Sequence, residues 1–288
     1  MALPYRFCVT TVTSGPYQHY LPIFYYTLRK FVPDAIVKTF HRGKLDDITL
    51  NGLHFIQDLG MRINMPIENY AIDFPHNLST TNCLRFLMSP SYFQEDYVYI
   101  TDVDFVYLEH DPSIDKYYVD KLRKWKQPYW ARRGFKRILG TDEKAKRIAG
   151  GGVLVTPEWF SATAELRKMY LEEVKDGTLG KVREDDERML WYMCAGSDLK
   201  VPTKRGNKRG SRFKEIHIGD CKFQNRWTNE NKMKRKISKG NFYKWHRLEE
   251  DQCWKAIVDI CCKCDMVKQS MSNLREYMNN RKAITFDD

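Results

Sequence analysis

The chain has 288 residues, 42% hydrophobic, 14% aromatic and 30% charged, a composition that suits a packed core and excludes a disordered or fibrous protein. The length allows one large α/β domain with elaborations or two smaller ones. The net charge of +11 is unevenly placed: residues 204–247 hold fifteen Lys or Arg against three acids, Glu215, Asp220 and Glu230. Such a stretch is either a solvated surface or an attractor of phosphates.

Taken in chain order, residues 6–13 read as a buried first strand, broken by Ser14-Gly15-Pro16. A helix follows with Leu21, Phe24, Tyr25, Leu28 and Phe31 on one face, and Pro33 ends it. Residues 35–40 are predicted as a second strand and 54–59 as a third, which suggests a parallel sheet with crossover helices. Ser79, Thr80 and Thr81 are capping candidates for a short helix through Leu84, Phe86 and Leu87, stopped by Pro90. Residues 97–101, Tyr-Val-Tyr-Ile-Thr, form a β-rich run predicted as a central strand.

The basic stretch 132–147 reads as a loop with a short helix, and Gly150-Gly151-Gly152 opens a strand through Val155. Thr156 is placed as the cap of the next helix, with Pro157 at its first position and Trp159, Ala162, Leu166, Met169 and Tyr170 on its inner face. Another helix starts near 184–187 and carries Met189, Leu190 and Met193. Beyond Val201 the chain is rich in Gly and Lys to about Asn241, and residues 248–281 are predicted largely helical, with Trp254, Ile257, Val258 and Cys261 as the apolar stripe.

The eight cysteines do not form a zinc-site pattern; Cys253, Cys261, Cys262 and Cys264 are expected as reduced thiols on or beside a helix. The first residues lack the basic start and apolar core of a signal peptide, and no run approaches the roughly 20 apolar residues of a membrane-spanning helix. The expectation is a cytoplasmic protein.

Asp102-Val103-Asp104 carries the strongest chemical signal. Residues two apart on a strand point to one side, so two carboxylates can converge on one ion. Hard divalent cations such as Mn²⁺ or Mg²⁺ take oxygen ligands and often keep substrate phosphates in the shell. Two carboxylates after an apolar strand are costly to bury without such a cation; the bland alternative is a pair of turn aspartates.

An apolar strand ending in Asp-x-Asp resembles the metal and diphosphate element of the GT-A glycosyltransferases. Three further segments fall in the order that resemblance implies. The end of the first strand, with Thr11, Val12 and Thr13, matches where such enzymes hold the nucleoside, and Arg85, about twenty residues before the Asp-x-Asp, matches an arginine near the donor. The strand 149–155 resembles the one leading to the acceptor side.

His217-Ile218-Gly219-Asp220-Cys221-Lys222 is similar to the His-x-x-Gly-x-x-Lys element of the glycogenin-like branch, with one residue fewer between His and Gly. That similarity implies His217 as third metal ligand beside Asp102 and Asp104, and Lys222 on the diphosphate with Asp102 and Val103. Glu184-Asp185-Asp186-Glu187 exceeds what helix-dipole compensation needs. The resemblance places an acid there near the acceptor hydroxyl, as general base or as positioning group, with Asp186 first and Asp185 second.

The resemblance thus implies an α/β GT-A fold with a mixed central sheet flanked by helices and a helical C-terminal extension. Residues 1–225 would be the catalytic domain, and 226–288 a basic linker and helical extension packed on it. The implied activity is metal-dependent transfer of a hexose or pentose from a nucleotide sugar, UDP-sugar first, to a glycan or glycoprotein hydroxyl. Two rivals remain. A nucleotidylyltransferase shares the layout, but Ser14-Gly15-Pro16-Tyr17-Gln18-His19 does not supply its Gly-rich loop. A nucleic-acid protein is suggested by aromatics such as Phe242 and Trp245 within the basic stretch, but no nucleic-acid-binding signature appears.

Overall fold

A computed structural model of the chain describes residues 4–75, 78–137, 144–178, 186–201, 215–222 and 239–282. Its centre is a five-stranded mixed sheet in the order β2-β1-β3-β6-β5. β1 (Phe7–Ser14) pairs in parallel with β2 (Ile36–Arg42) and β3 (Tyr97–Thr101). β6 (Lys144–Val155) runs antiparallel to both β3 and β5 (Tyr129–Arg137). A short ribbon pairs β4 (Phe105–Val106) with β7 (Ile216–His217), antiparallel.

The period of two along the strands sorts the core into two halves. Phe7, Val9, Tyr99 and Leu154 face one apolar cluster, whereas Cys8, Val12, Val98, Ile100, Val153 and Val155 face another. The first cluster is covered by α1 (Leu21–Phe31), α2 (Asp47–Asp58) and α4 (Ile114–Trp125). Three C-terminal helices join it: α8 (Lys239–Glu250), α9 (Gln252–Cys261) and α10 (Asp265–Lys282). The second is covered by α3 (Leu78–Leu87), α5 (Pro157–Ala162), α6 (Ala164–Lys175) and α7 (Asp186–Gly196). This is the expected mixed sheet flanked by helices.

The C-terminal helices are tied to the N-terminal half by specific contacts. Trp254 stacks on Tyr26 at 6.3 Å and meets Trp245 edge-on at 5.9 Å. Asp251 caps α9 by accepting from the amides of Cys253 at 2.8 Å and Trp254 at 3.3 Å, while its other oxygen accepts from the Tyr26 hydroxyl at 2.6 Å and pairs with Lys30. Phe242 and Trp245 lie in the core, so neither ring is available to stack on a base.

Several sequence expectations are corrected. Residues 54–59 are not a third strand but the end of α2, which Asp46 caps by accepting from the Thr49 amide at 3.0 Å. Thr49, Leu53 and Ile56 are buried at helical spacing, a period that a six-residue window was too short to reveal. The stretch 132–147 is not a loop with a helix. Its described parts are the ends of β5 and β6, in register from Arg132↔Ala149 to Arg137↔Lys144 beyond a bulge at Ala131/Arg132. Backbone pairing makes these strands without any apolar alternation in sequence.

The helix after Thr156 is broken at Thr163, whose hydroxyl donates to the Trp159 carbonyl at 2.8 Å, so Ala162 and Met169 are exposed and Arg167, Tyr170 and Val174 face inward. The Thr156 hydroxyl donates to the Pro128 carbonyl at 3.1 Å and makes no side-chain cap to the helix.

All eight cysteines are free thiols. Among the described residues no helix is long and apolar enough to cross a membrane.

Candidate metal and donor site

At the C-terminal ends of β1 and β3 the chain encloses a cavity of about 250 Å³. Crevices outside the carboxyl ends of strands are where open α/β sheets bind ligands. Thr11, Val12, Thr13 and Ser14 from β1 form one wall; Thr81, Asn82 and Arg85 from α3 form another. Asp102, Val103 and Asp104 leave β3 into the floor, and Tyr17, Gly151, Asp186, Glu187, His217 and Gly219 complete the lining.

β3 ends at Thr101, whose hydroxyl donates to the Gly151 carbonyl at 3.1 Å, and Asp102 follows at once. The chain then enters β4, where Phe105 pairs with His217 across the β4–β7 ribbon. The Ile218 amide donates to the Asp104 carbonyl at 2.8 Å, and the Phe105 and His217 rings meet at 4.8 Å. This ribbon sets His217 beside Asp104 although 113 positions separate them. Behind it Glu215 is buried, accepting from the Tyr118 hydroxyl at 2.8 Å and the Tyr99 hydroxyl at 3.1 Å.

One potential ligand atom from each of Asp102, Asp104 and His217 lies within 4.8 Å of the others. His217 Nε2 is 3.0 Å from Asp104 Oδ1, yet that buried oxygen has no hydrogen-bond partner among the described residues. The contact is short in distance but misaligned as a hydrogen bond, which is how two ligands converging on a common point are arranged. Asp104 is 5% exposed, and a carboxylate that deep is costly to desolvate without a compensating cation. Two carboxylates and an imidazole suit Mn²⁺, and the oxygen donors suit Mg²⁺. The residues therefore fit a divalent ion.

Arg85 is the positive centre of the site. Its Nη1 pairs with Asp102 and its Nη2 with Asp186, at the first turn of α7. The GT-A resemblance implies this charge for the donor; in the structure both terminal nitrogens meet carboxylates. Around it stand Asp102, Asp104, Asp186 and Glu187, so among the described lining residues the carboxylates outnumber the guanidinium.

The glycines mark where side chains need room. A methyl on Gly150 would stand 2.7 Å from Asp186 Oδ2 and 3.0 Å from Arg85 Nη2. On Gly151 it would stand 2.9 Å from Asp102 Oδ2; on Gly152 it would collide with the Tyr99 hydroxyl, and on Gly219 with the Asp104 carboxylate. Apart from the approach to Arg85, each contact is closer than real Cβ atoms show, so the facing side chain would have to shift.

No family model matches the chain, and no curated protein is recognisably similar to it in sequence. Solved glycosyltransferase structures are similar to it. The galactosyltransferase LgtC, crystallised with donor and acceptor sugar analogs, is 17% identical with a TM-score of 0.40, over 64% of this chain and 69% of that one. The mannosyltransferase Ktr4p from S. cerevisiae is 8% identical with a TM-score of 0.46, over 66% and 65%. The glycosyltransferase GlyE of Streptococcus pneumoniae is 13% identical with a TM-score of 0.41, over 64% of this chain but only 42% of its own.

The cavity brings together Thr11, Val12, Thr13, Arg85, Asp102, Val103, Asp104, Asp186 and His217 among the residues expected from sequence. Asp185 lies outside the described residues, as do the Lys222 side chain and most of the basic stretch 204–247. Tyr17, Thr81 and Gly219 also line the cavity. Tyr17 carries no local signal in the sequence, and Thr81 reads there only as a capping candidate. Gly219 reads only as part of a motif, and its need for smallness comes from Asp104 across the ribbon.

Proposed function

We propose that the chain transfers a glycosyl group from a nucleoside-diphosphate sugar, a UDP-sugar first, to a glycan or glycoprotein hydroxyl with a divalent cation, Mn²⁺ or Mg²⁺. The observation that carries this reading is the convergence of Asp102, Asp104 and His217 at the strand ends, in a cavity whose described carboxylates outnumber its guanidinium.

Asp102, Asp104 and His217 would hold the cation, which supplies positive charge against that developing on the leaving diphosphate. Thr11, Val12 and Thr13 would line the nucleoside, and Lys222 would add positive charge near the phosphates. Asp186, steadied by Arg85, would accept the hydrogen bond of the incoming hydroxyl and orient it; Asp185 is the second candidate for that role.

The test is hydrolysis and transfer across a panel of nucleotide sugars with Mn²⁺, with Mg²⁺ and with chelator. Metal-dependent turnover of one donor is the expected outcome. If no nucleotide sugar binds with or without metal, while a nucleoside triphosphate does, the nucleotidylyltransferase reading replaces this one.

A further inference from the structure

A second cavity, of about 610 Å³, lies between the segment 67–74 and α6 and shares no lining residue with the first. Its volume falls within the roughly 300–1,000 Å³ typical of small-molecule sites. Phe74, Tyr92, Phe160 and Leu171 make its walls largely apolar, and Tyr92 and Ile67 leave 37% and 44% of their surface exposed there.

The backbone that forms one wall is held in an unusual conformation. The segment extends the edge of β2: the Ile67 amide donates to the Thr39 carbonyl at 2.9 Å and the Tyr70 amide to the His41 carbonyl at 2.9 Å. On either side of Tyr70, Asn69 has φ 56° and Ala71 φ 47°. The left-handed region costs a residue with a Cβ about 1–2 kcal/mol, so the surroundings hold this turn in place. The turn sets the Tyr70 ring against Phe40 at 5.0 Å and beside Tyr92 at 6.3 Å.

Arg167 supplies the charge. The residue is 7% exposed, its Nε donates to the Phe86 carbonyl at 3.1 Å, its Nη2 donates to the Met88 carbonyl, and its guanidinium lies 5.0 Å from the centre of the Phe160 ring. Those bonds close the C-terminal end of α3 but leave Nη1 without a hydrogen-bond partner among the described residues, and it is not sealed from solvent. The Tyr70 hydroxyl also hydrogen-bonds to no described residue, and Tyr70 and Arg167 line the same cavity. Burial lowers the guanidinium to about 10, which still leaves it cationic at neutral pH. The lining carboxylate, Glu68, is occupied by the Leu45 amide at 2.7 Å, and Lys168 adds a second positive charge to the lining.

We propose that this cavity binds an amphipathic organic anion, its anionic group on Arg167 and the Tyr70 hydroxyl and its apolar body against Phe74, Tyr92, Phe160 and Leu171. A buried guanidinium and a hydroxyl lining one cavity, each with a donor that no described residue takes up, recognise one compact anion, and the aromatic and aliphatic walls recognise what it is attached to. The body is an aliphatic chain or an aromatic ring, and competition separates the two.

The probe is 1-anilinonaphthalene-8-sulfonate, titrated by fluorescence into the full-length protein, with decanoate and 2-naphthoate as competitors. Saturable binding to one site is expected, displaced by at least one competitor; decanoate assigns an aliphatic body, 2-naphthoate an aromatic one. Tyr70→Phe, which removes only the hydroxyl, should weaken the probe by about three- to tenfold. Leu171→Trp, which fills the cavity, should abolish binding at an unchanged thermal midpoint. Asp104→Ala should leave the probe's affinity as it is, which separates this site from the metal cavity and makes its fate independent of the glycosyltransferase reading. Absent or non-saturable binding, a probe that neither competitor displaces, or affinity indifferent to both Tyr70→Phe and Leu171→Trp would overturn the proposal.

Discussion

The Asn273 side chain donates to the Cys221 carbonyl at 2.6 Å, joining the C-terminal helix α10 to the turn that follows His217. Cys221 is itself buried, and its thiol leans toward the His217 carbonyl at 3.9 Å. On the same helix, the Ser270 hydroxyl lies 2.7 Å from the Tyr20 hydroxyl, and Met271, Leu274 and Met278 share a core cluster with Ile216 and Ile218. The far end of the chain thus buttresses the strand that presents a candidate metal ligand.

Asn273→Ala is therefore expected to weaken Mn²⁺ binding several-fold, read by the electron paramagnetic resonance of free Mn²⁺. The lost hydrogen bond should cost about 1–2 kcal/mol of stability. An Mn²⁺ affinity equal to that of the parent at a lowered thermal midpoint would confine Asn273 to a structural role.

Asp104→Ala should abolish metal-dependent donor binding by calorimetry. In chelator it should leave the thermal midpoint equal to or above that of the parent, because it removes a buried carboxylate with an unpartnered oxygen from a cluster of like charges. A large fall in the midpoint without metal would mean that the carboxylate serves the fold.

Gly219→Ala tests the ribbon that joins His217 to Asp104. The added methyl would collide with the Asp104 carboxylate, so metal binding should fall at least tenfold, a change worth about 1.4 kcal/mol or more. Wild-type metal affinity in this variant would sink the idea that Asp104 must occupy its present position to bind.

Asp251 yields a pH dependence. Burial alone would raise its carboxyl, but hydrogen bonds from Lys30, Tyr26 and the Trp254 amide hold it down to about 2. A folded value below the unfolded one, near 3.9, means stabilisation that is complete above about pH 5 and is lost as the pH falls toward 2. Asp251→Asn should lower the urea midpoint at pH 7, with the gap from the parent closing between pH 5 and pH 2. A gap constant over that window would remove the charge from the account and leave only the cap.

Much of this architecture is legible in the sequence because the signals are local. The buried run 6–13 marks the first strand, the β-rich run 97–101 marks a central strand, and the spacing of Asp102 and Asp104 sets two carboxylates together at its end. The helix start at Asp186 is likewise visible as an acidic run before apolar residues.

Only the tertiary structure decided what those charges meet. Arg85 and Asp186 are 101 positions apart and form an ion pair because α3 and α7 pack on the same face of the sheet. Glu215 sits within a strongly basic stretch and reads as surface, yet the fold buries it under two tyrosine hydroxyls. Gly150, Gly151 and Gly152 read as a strand opening, whereas their lack of side chains makes room for Asp186, Asp102 and Tyr99 in turn. Propensity and period are written over a few neighbouring residues, so the chain alone determines them. Charge pairing and steric room depend on atoms brought together from distant segments, and packing alone determines those.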